Sequence, residues 1–456
     1  MKRLFPLPLL AGLVALLAAC SAPEPEPAPL SLVWEAVLVT PDRKLEFDAA
    51  AGDRYVYVLS EELPLDGDYT RKWASLWRVD AANGGVLGTV KFPDDAAAAT
   101  LAANGFGCPQ PLSPDLVVDG QGAVYAGVAL RNAAAQADGC DTFDGSWVAS
   151  NWAVFGVFDA DLNRTGLAWL KAFGGDDPTY AAPYAWLARA DAGAVVAGAY
   201  RADARILQTQ TFRGSLSPDG TLNVALEGPL GEHVYRAHSL PEGWLAVERP
   251  DDPNVAGWSE RLTRYDAAGN VVWEVTTARV SFPPTLHAAG VPGRPGTVYV
   301  SGEVLGGDPF LGSPPPANEP NRAPFVARID DGSLTWIRWL TAEETEWFNT
   351  DTYVELPLVY DPAYDEVYVA GNTVLLALDP ADGATRWVTN LPEIIDGDRV
   401  GLSDWFVTYQ PQSISHLFLV GNRIVAVNYS FWDFNGDPTS PNPRNRPMLM
   451  GFERRY

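Results

Sequence analysis

A short strand opened by a turn returns seven times along the chain. It reads DRYVYVLS from Asp53, GAVYAGVAL from Gly122, GAVVAGAY from Gly193 and GWLAVER from Gly243. It continues as GTVYVSGEV from Gly296, DEVYVAG from Asp365 and NRIVAVNYS from Asn422. Apolar β-formers bounded by Gly, Asp and Asn are the pattern of half-buried strands closed by tight turns. Another apolar strand precedes each copy, as in LVVDGQG and LVYDPAYD. A hairpin follows each, most clearly in ERLTRYDAAGNVVWEVTT from Glu260, FVARIDDGSLTWIRWL from Phe325 and VLLALDPADGATRWVTN from Val374. Four antiparallel strands per unit, recurring every roughly 50 to 70 residues, predict propeller blades.

The count predicts an all-β, seven-bladed β-propeller of four-stranded antiparallel blades; eight blades is the alternative if two units have been merged. The seventh unit ends after its third strand, RPMLMGFERR. The orphan segment LSLVWEAVLV, Leu30 to Val39, carries Trp as the fourth strands do. The N-terminal strand is therefore expected to complete the last blade, which removes the exposed sheet edges that invite aggregation.

Ala377, Leu378, Asp379, Gly383 and Trp387 follow the A-x-D-x-x-T-G-x-x-x-W repeat, with Asp382 in place of Thr. On these residues the chain resembles the PQQ-like propeller superfamily. In that family the repeat Trp packs between blades. Its quinoprotein dehydrogenases use eight blades and often an adjacent cysteine pair over the cofactor. Neither feature is present here, so the resemblance does not extend to PQQ, and no cofactor is expected beyond a possible calcium ion.

The chain opens on Met1-Lys2-Arg3, followed by an apolar run to Ala19. That run is shorter than the about 20 residues of a membrane span. A basic head before a short apolar stretch marks a secretory signal peptide. Leu17-Ala18-Ala19-Cys20 resembles the bacterial lipobox, which implies lipidation of Cys20; Ser21 resembles the signal for transfer to the outer membrane. The Pro/Glu/Ala tract after Cys20 cannot pack and reads as an extended tether. The expected organisation is a signal peptide at 1–19, lipidated Cys20 with its tether at 20–30, and a single propeller domain at 31–456. The product is an exported lipoprotein at the outer membrane or cell surface, held to the membrane by its N-terminal lipid.

Of the three cysteines, Cys108 and Cys140 remain once Cys20 is lipidated. An even pair in an oxidising compartment is expected to form a disulfide. The net charge of −25 repels phosphate backbones and argues against nucleic acid as a partner.

Strand order sorts the connections into two faces. Those between strands one and two, and three and four, are short. Those between strands two and three, and between blades, are long. Rigid scaffolds carry binding on such loops, so the long-loop face is the candidate site. Its aromatics include Trp147, Trp152, Tyr180, Trp186, Trp258, Trp347, Phe348, Trp405, Phe406, Phe431, Trp432 and Phe434. Carboxylates accompany them at Asp176, Asp177, Glu343, Glu344, Glu346, Asp404, Asp433 and Asp437. Aromatic faces beside carboxylates suit sugars or cationic groups. Trp347, Trp405, Trp432, Asp404 and Asp433 are the leading ligand-binding candidates. The spacing of Asp433, Asn435 and Asp437 suits calcium. Asp159 to Asn163 has similar spacing, but in a hairpin turn.

His238, His287 and His416 fall on first strands, which border the axis of a propeller; local hydrogen bonding is the simpler reading, a metal or acid–base site the sharper one. No nucleophile elbow or zincin motif is present. The expected function is a monomeric, envelope-anchored binding or scaffold module for an envelope protein or glycan. The lipoprotein-plus-propeller combination resembles the BamB family of the outer-membrane assembly machinery. The alternative is an exported enzyme acting on polysaccharide or another envelope substrate. A broad aromatic face favours the first class, and carboxylates and histidines converging on an axial pocket favour the second.

Overall fold

The computed structural model describes residues 30–38, 43–63, 73–104, 112–131, 151–170, 184–201, 209–227, 232–250, 259–278, 286–305, 307–317, 322–341, 344, 356–371, 374–391, 414–430 and 446–455. Blade one holds β2 (Arg43–Ala51), β3 (Tyr55–Leu63), β4 (Trp73–Asp80) and β5 (Val86–Phe92). Blade two holds β6 (Leu112–Val118), β7 (Val124–Arg131), β8 (Asn151–Phe158) and β9 (Arg164–Leu170). Blade three holds β10 (Tyr184–Arg189), β11 (Ala194–Arg201), β12 (Thr209–Leu216) and β13 (Leu222–Glu227). Blade four holds β14 (Glu232–Leu240), β15 (Gly243–Pro250), β16 (Ser259–Asp266) and β17 (Val271–Ala278). Blade five holds β18 (His287–Val291), β19 (Arg294–Leu305), β20 (Arg322–Asp330) and β21 (Ser333–Trp339). Blade six holds β22 (Leu358–Asp361), β23 (Glu366–Ala370), β24 (Val374–Leu378) and β25 (Thr385–Asn390). Blade seven runs β26 (Ile414–Val420), β27 (Arg423–Ser430), β28 (Arg446–Arg454) and then β1 (Leu30–Val37), which pairs antiparallel with β28 from Leu30/Arg454 to Val37/Met448. The seven-bladed ring and its N-terminal closure are as expected. Blades three and four also touch at one parallel pair, Gln210 and Glu232.

The core is not one mass. Seven apolar clusters fill the seven seams between neighbouring blades. The closing seam sets Trp34, Ala36, Val425 and Leu449 of blade seven against Phe47, Val56, Trp77 and Val79 of blade one. Alternation along each strand delivers side chains to both seams at once, so each blade belongs to two cores.

The repeat motif explains how a seam is locked. Its Asp caps the hairpin turn: Asp379 Oδ1 accepts from Ala381 N–H at 2.8 Å, and Asp266 Oδ1 accepts from Asn270 N–H at 2.8 Å. Its Gly takes a positive φ, +74° at Gly383, and lies under the Trp of the preceding blade; a Cβ there would stand 2.8 Å from Trp336 Cε3. Trp336 Nε1 then donates to Pro380 O at 3.0 Å, and Trp34 Nε1 to Ala81 O at 2.8 Å. Trp387 lacks such a carbonyl, and its Nε1 is buried without a partner. The next blade is blade seven, whose third and fourth strands come from opposite ends of the chain, so no hairpin turn joins them.

One connection differs from expectation. The segment after β5, read as a long loop, contains helix α1 (Asp95–Ala103). Its alanines favour helix. Asp94 caps it, accepting from Ala97 N–H at 2.7 Å and from Arg164 Nε at 2.7 Å.

Candidate functional site

Strand order confirms the two faces. Connections between first and second strands are short, from Pro241–Glu242 in blade four to 119–123 in blade two. The connections between second and third strands span 132–150 in blade two and 431–445 in blade seven. These segments emerge from the same end of the ring as the links between blades. Trp347, Trp405, Trp432, Asp404, Asp433, Asn435 and Asp437 lie outside the described residues, as do Cys20, Cys108 and Cys140. Trp147, Tyr180, Trp258, Phe348, Phe406, Phe431, Phe434, Asp176, Asp177, Glu343 and Glu346 lie outside them too. Trp152 is the second residue of β8, and its side chain is not described.

One described candidate is relocated, one folds back on its own segment, and one is a turn cap as expected. Trp186 belongs to β10, an innermost strand, rather than to a loop. Glu344 pairs with Arg338 and accepts from Thr341 N–H at 2.9 Å, which folds its own segment back. Asp159 Oδ1 accepts from Asp161 and Asn163 N–H at 2.9 and 2.8 Å, so this acidic cluster caps a turn. Among the described residues no group of three or more His, Cys, Asp or Glu is set to hold a metal. No described helix is long and apolar enough to cross a membrane.

The described polar groups gather along the axis instead. Propeller blades surround a central channel, and Asp48, Asp115, Arg236, His238 and His287 on the innermost strands are partly buried. Asp48 on β2 accepts from Leu116 N–H of blade two at 2.6 Å and from His416 Nε2 of blade seven at 2.7 Å. Asp115 on β6 accepts from Leu187 N–H of blade three and hydrogen-bonds Asp48. Arg189 N–H of blade three donates to Ser239 Oγ of blade four at 2.9 Å. His238 of blade four hydrogen-bonds the Leu286 backbone, which leads into blade five. Side chains thus staple blades seven, one, two, three, four and five in sequence around the axis.

The electrostatics follow from burial. Burial first, and then Asp48, push the Asp115 carboxyl well above the usual carboxylate range. That direction favours the protonated form of Asp115, which can donate to Asp48. Burial and the nearby Arg236 guanidinium push His238 down to about 3, so its imidazole is neutral. The same two causes, with His238 and His416 adding to them, push His287 well below its ordinary value.

The first-strand histidines were legible in the sequence; the carboxylates were not. Asp48 and Asp115 sit four residues before Gly52 and Asp119, next to the first turns of their blades. Aligning the first strands by those turns would have brought the two together.

No protein-family model matches the chain, and no curated protein matches it significantly. Among solved structures, polysaccharide lyase Uly1 aligns with a TM-score of 0.46 at 9% identity, covering 89% of each chain. The quinohemoprotein alcohol dehydrogenase of Comamonas testosteroni aligns with a TM-score of 0.40 at 10% identity, over 93% of this chain and 76% of that one. BamB from Moraxella catarrhalis aligns with a TM-score of 0.36 at 10% identity, over 94% and 99%. The likeness is one of fold.

Proposed function

We propose that this protein is a binding or scaffold module of the cell envelope, anchored through lipidated Cys20, that meets a protein or glycan partner on its long-loop face. The observation that carries this reading is the one-sided elaboration of the ring. Short turns capped by their own Asp residues close one end. Nearly all the chain not used in strands leaves from the other. A rigid ring with loops on one side is a platform for recognition.

The axial carboxylates and histidines supply the one observation for the enzymatic alternative. For the two carboxylates, hydrogen bonds weigh against it. Both Asp48 oxygens are engaged, and Asp115 is tied to Leu187 and Asp48. A general base needs a free lone pair facing substrate.

The test places a photo-crosslinking amino acid at Trp347, Trp405 and Trp432, and separately at the opposite turns at Asn83, Asp219 and Ala267, in cells. Adducts of one mass from the first set alone support the reading. Adducts from both sets equally, or from the turns alone, sink it. Replacing Cys20 with Ala is expected to move the protein from the membrane to the soluble fraction; unchanged membrane association removes the anchor.

A further inference from the structure

Three side chains of the axial cluster keep hydrogen-bonding capacity that the staples do not consume. Arg236 on β14 makes no ion pair among the described residues; its guanidinium carbon lies 5.8 Å from the Trp186 ring of blade three. His238 Nε2 and His287 Nε2 are buried and have no hydrogen-bond partner. Their rings are 6.2 Å apart across the seam between blades four and five. Buried polar atoms without partners cost about 1–3 kcal/mol each. Two on facing strands, beside a guanidinium with no ion pair among the described residues and the Asp115 carboxyl in its field, are the groups a ligand would satisfy.

The donor and acceptor pattern selects its chemistry. His238 is neutral and gives its one N–H to the Leu286 backbone, so its Nε2 offers a lone pair. A metal ion would take that lone pair, but Arg236 faces the same two imidazoles and repels a cation. A bare carboxylate would satisfy Arg236 and be repelled by the lone pair. A molecule with both an anionic oxygen and hydroxyl groups satisfies all three. Its carboxylate meets the guanidinium in a two-point contact. Its hydroxyls donate to Nε2, and the Trp186 face covers its carbon side. In a chain of net charge −25, Arg236 is a cation on the axis with no ion pair among the described residues, and the Asp115 carboxyl that it acts on is held toward its neutral form.

We propose that the axial channel binds a small hydroxylated carboxylate, held by Arg236, His238 and His287 against Trp186. This site is separate from the partner face and does not depend on it.

The experiment titrates the full-length protein with gluconate, with sorbitol (the same hydroxyls, no charge) and with hexanoate (the charge, no hydroxyls). Calorimetry gives the affinity, and nitrogen NMR follows the imidazole Nε2 signals. Gluconate is expected to bind at least tenfold more tightly than either control and to move the Nε2 signals of both histidines. Arg236→Gln is expected to weaken gluconate at least tenfold while leaving sorbitol unchanged. If that variant does not fold, His287→Asn in the same titration is expected to lose the advantage of gluconate over hexanoate. Equal binding of gluconate and either control overturns the proposal. So does zinc shifting the Nε2 signals where gluconate does not, or no saturable gluconate binding, in which case water fills the channel.

Discussion

Single side chains in this ring do work that their residue type alone does not announce. Arg264 is fully buried in blade four, and its guanidinium collects backbone carbonyls at Trp244 (3.3 Å), Pro241 (3.0 Å), Glu242 (3.3 Å) and, across the seam, Pro295 (3.2 Å). Burial lowers its pKa. Replacing it with Met strands several carbonyls, and urea denaturation is expected to show a loss of about 3 kcal/mol. Arg264→Lys keeps the charge but reaches fewer carbonyls, so its loss should be smaller; equal losses would mean that packing, not hydrogen bonding, holds the site. Glu35 behaves oppositely. Burial in the closing strand raises its carboxyl from 4.5 to about 7. The folded chain therefore holds this proton more tightly than the unfolded chain. The stability it contributes is complete below pH 4.5 and is lost as pH rises toward 7. Calorimetry should find Glu35→Gln melting higher than the parent at about pH 8, with no gain at about pH 4. A gain of the same size at both would rule out the ionisation.

At the scale of elements, β1 matters most because it is the only part of blade seven drawn from the start of the chain. Without Leu30–Val37, β28 becomes an open edge and the closing seam loses Trp34 and Ala36. Deleting the strand is expected to give soluble aggregates in light scattering after size exclusion. Trp34→Ala, which keeps the strand, should cost about 3–5 kcal/mol in chemical denaturation. A monodisperse, equally stable deletion variant would show that closure does not hold the ring. Helix α1 is a smaller device. Asp94 is both its cap and the partner of Arg164. Asp94→Ala should cost about 1–2 kcal/mol, and a double-mutant cycle with Arg164→Ala should return a nonzero coupling. The strands were legible because alternation is a local property of each one. The helix was missed because its run, Asp95 to Ala103, holds one Leu and no apolar stripe, so only propensity and the Asp cap marked it.

At the scale of the whole molecule, the seven-fold repeat in the sequence determined the ring, its blade count and its closure. Each blade carries its own strand alternation, written within a few tens of residues, and in blades one, five and six a turn Gly lies against the Trp of the preceding blade. Seven units that each bury apolar side chains on both faces can satisfy them only by packing in a circle. The division of the connections into a short face and a long face also followed from the sequence, because it depends only on strand order. What only the tertiary structure decided is what lies on the axis. Asp48, Asp115, Arg236, His287 and His416 are separated by up to 368 residues, and no local pattern ties them together. Their meeting depends on how the innermost strands are staggered about the ring. That stagger also decides which polar atoms the staples consume and which, on Arg236, His238 and His287, they leave for a ligand.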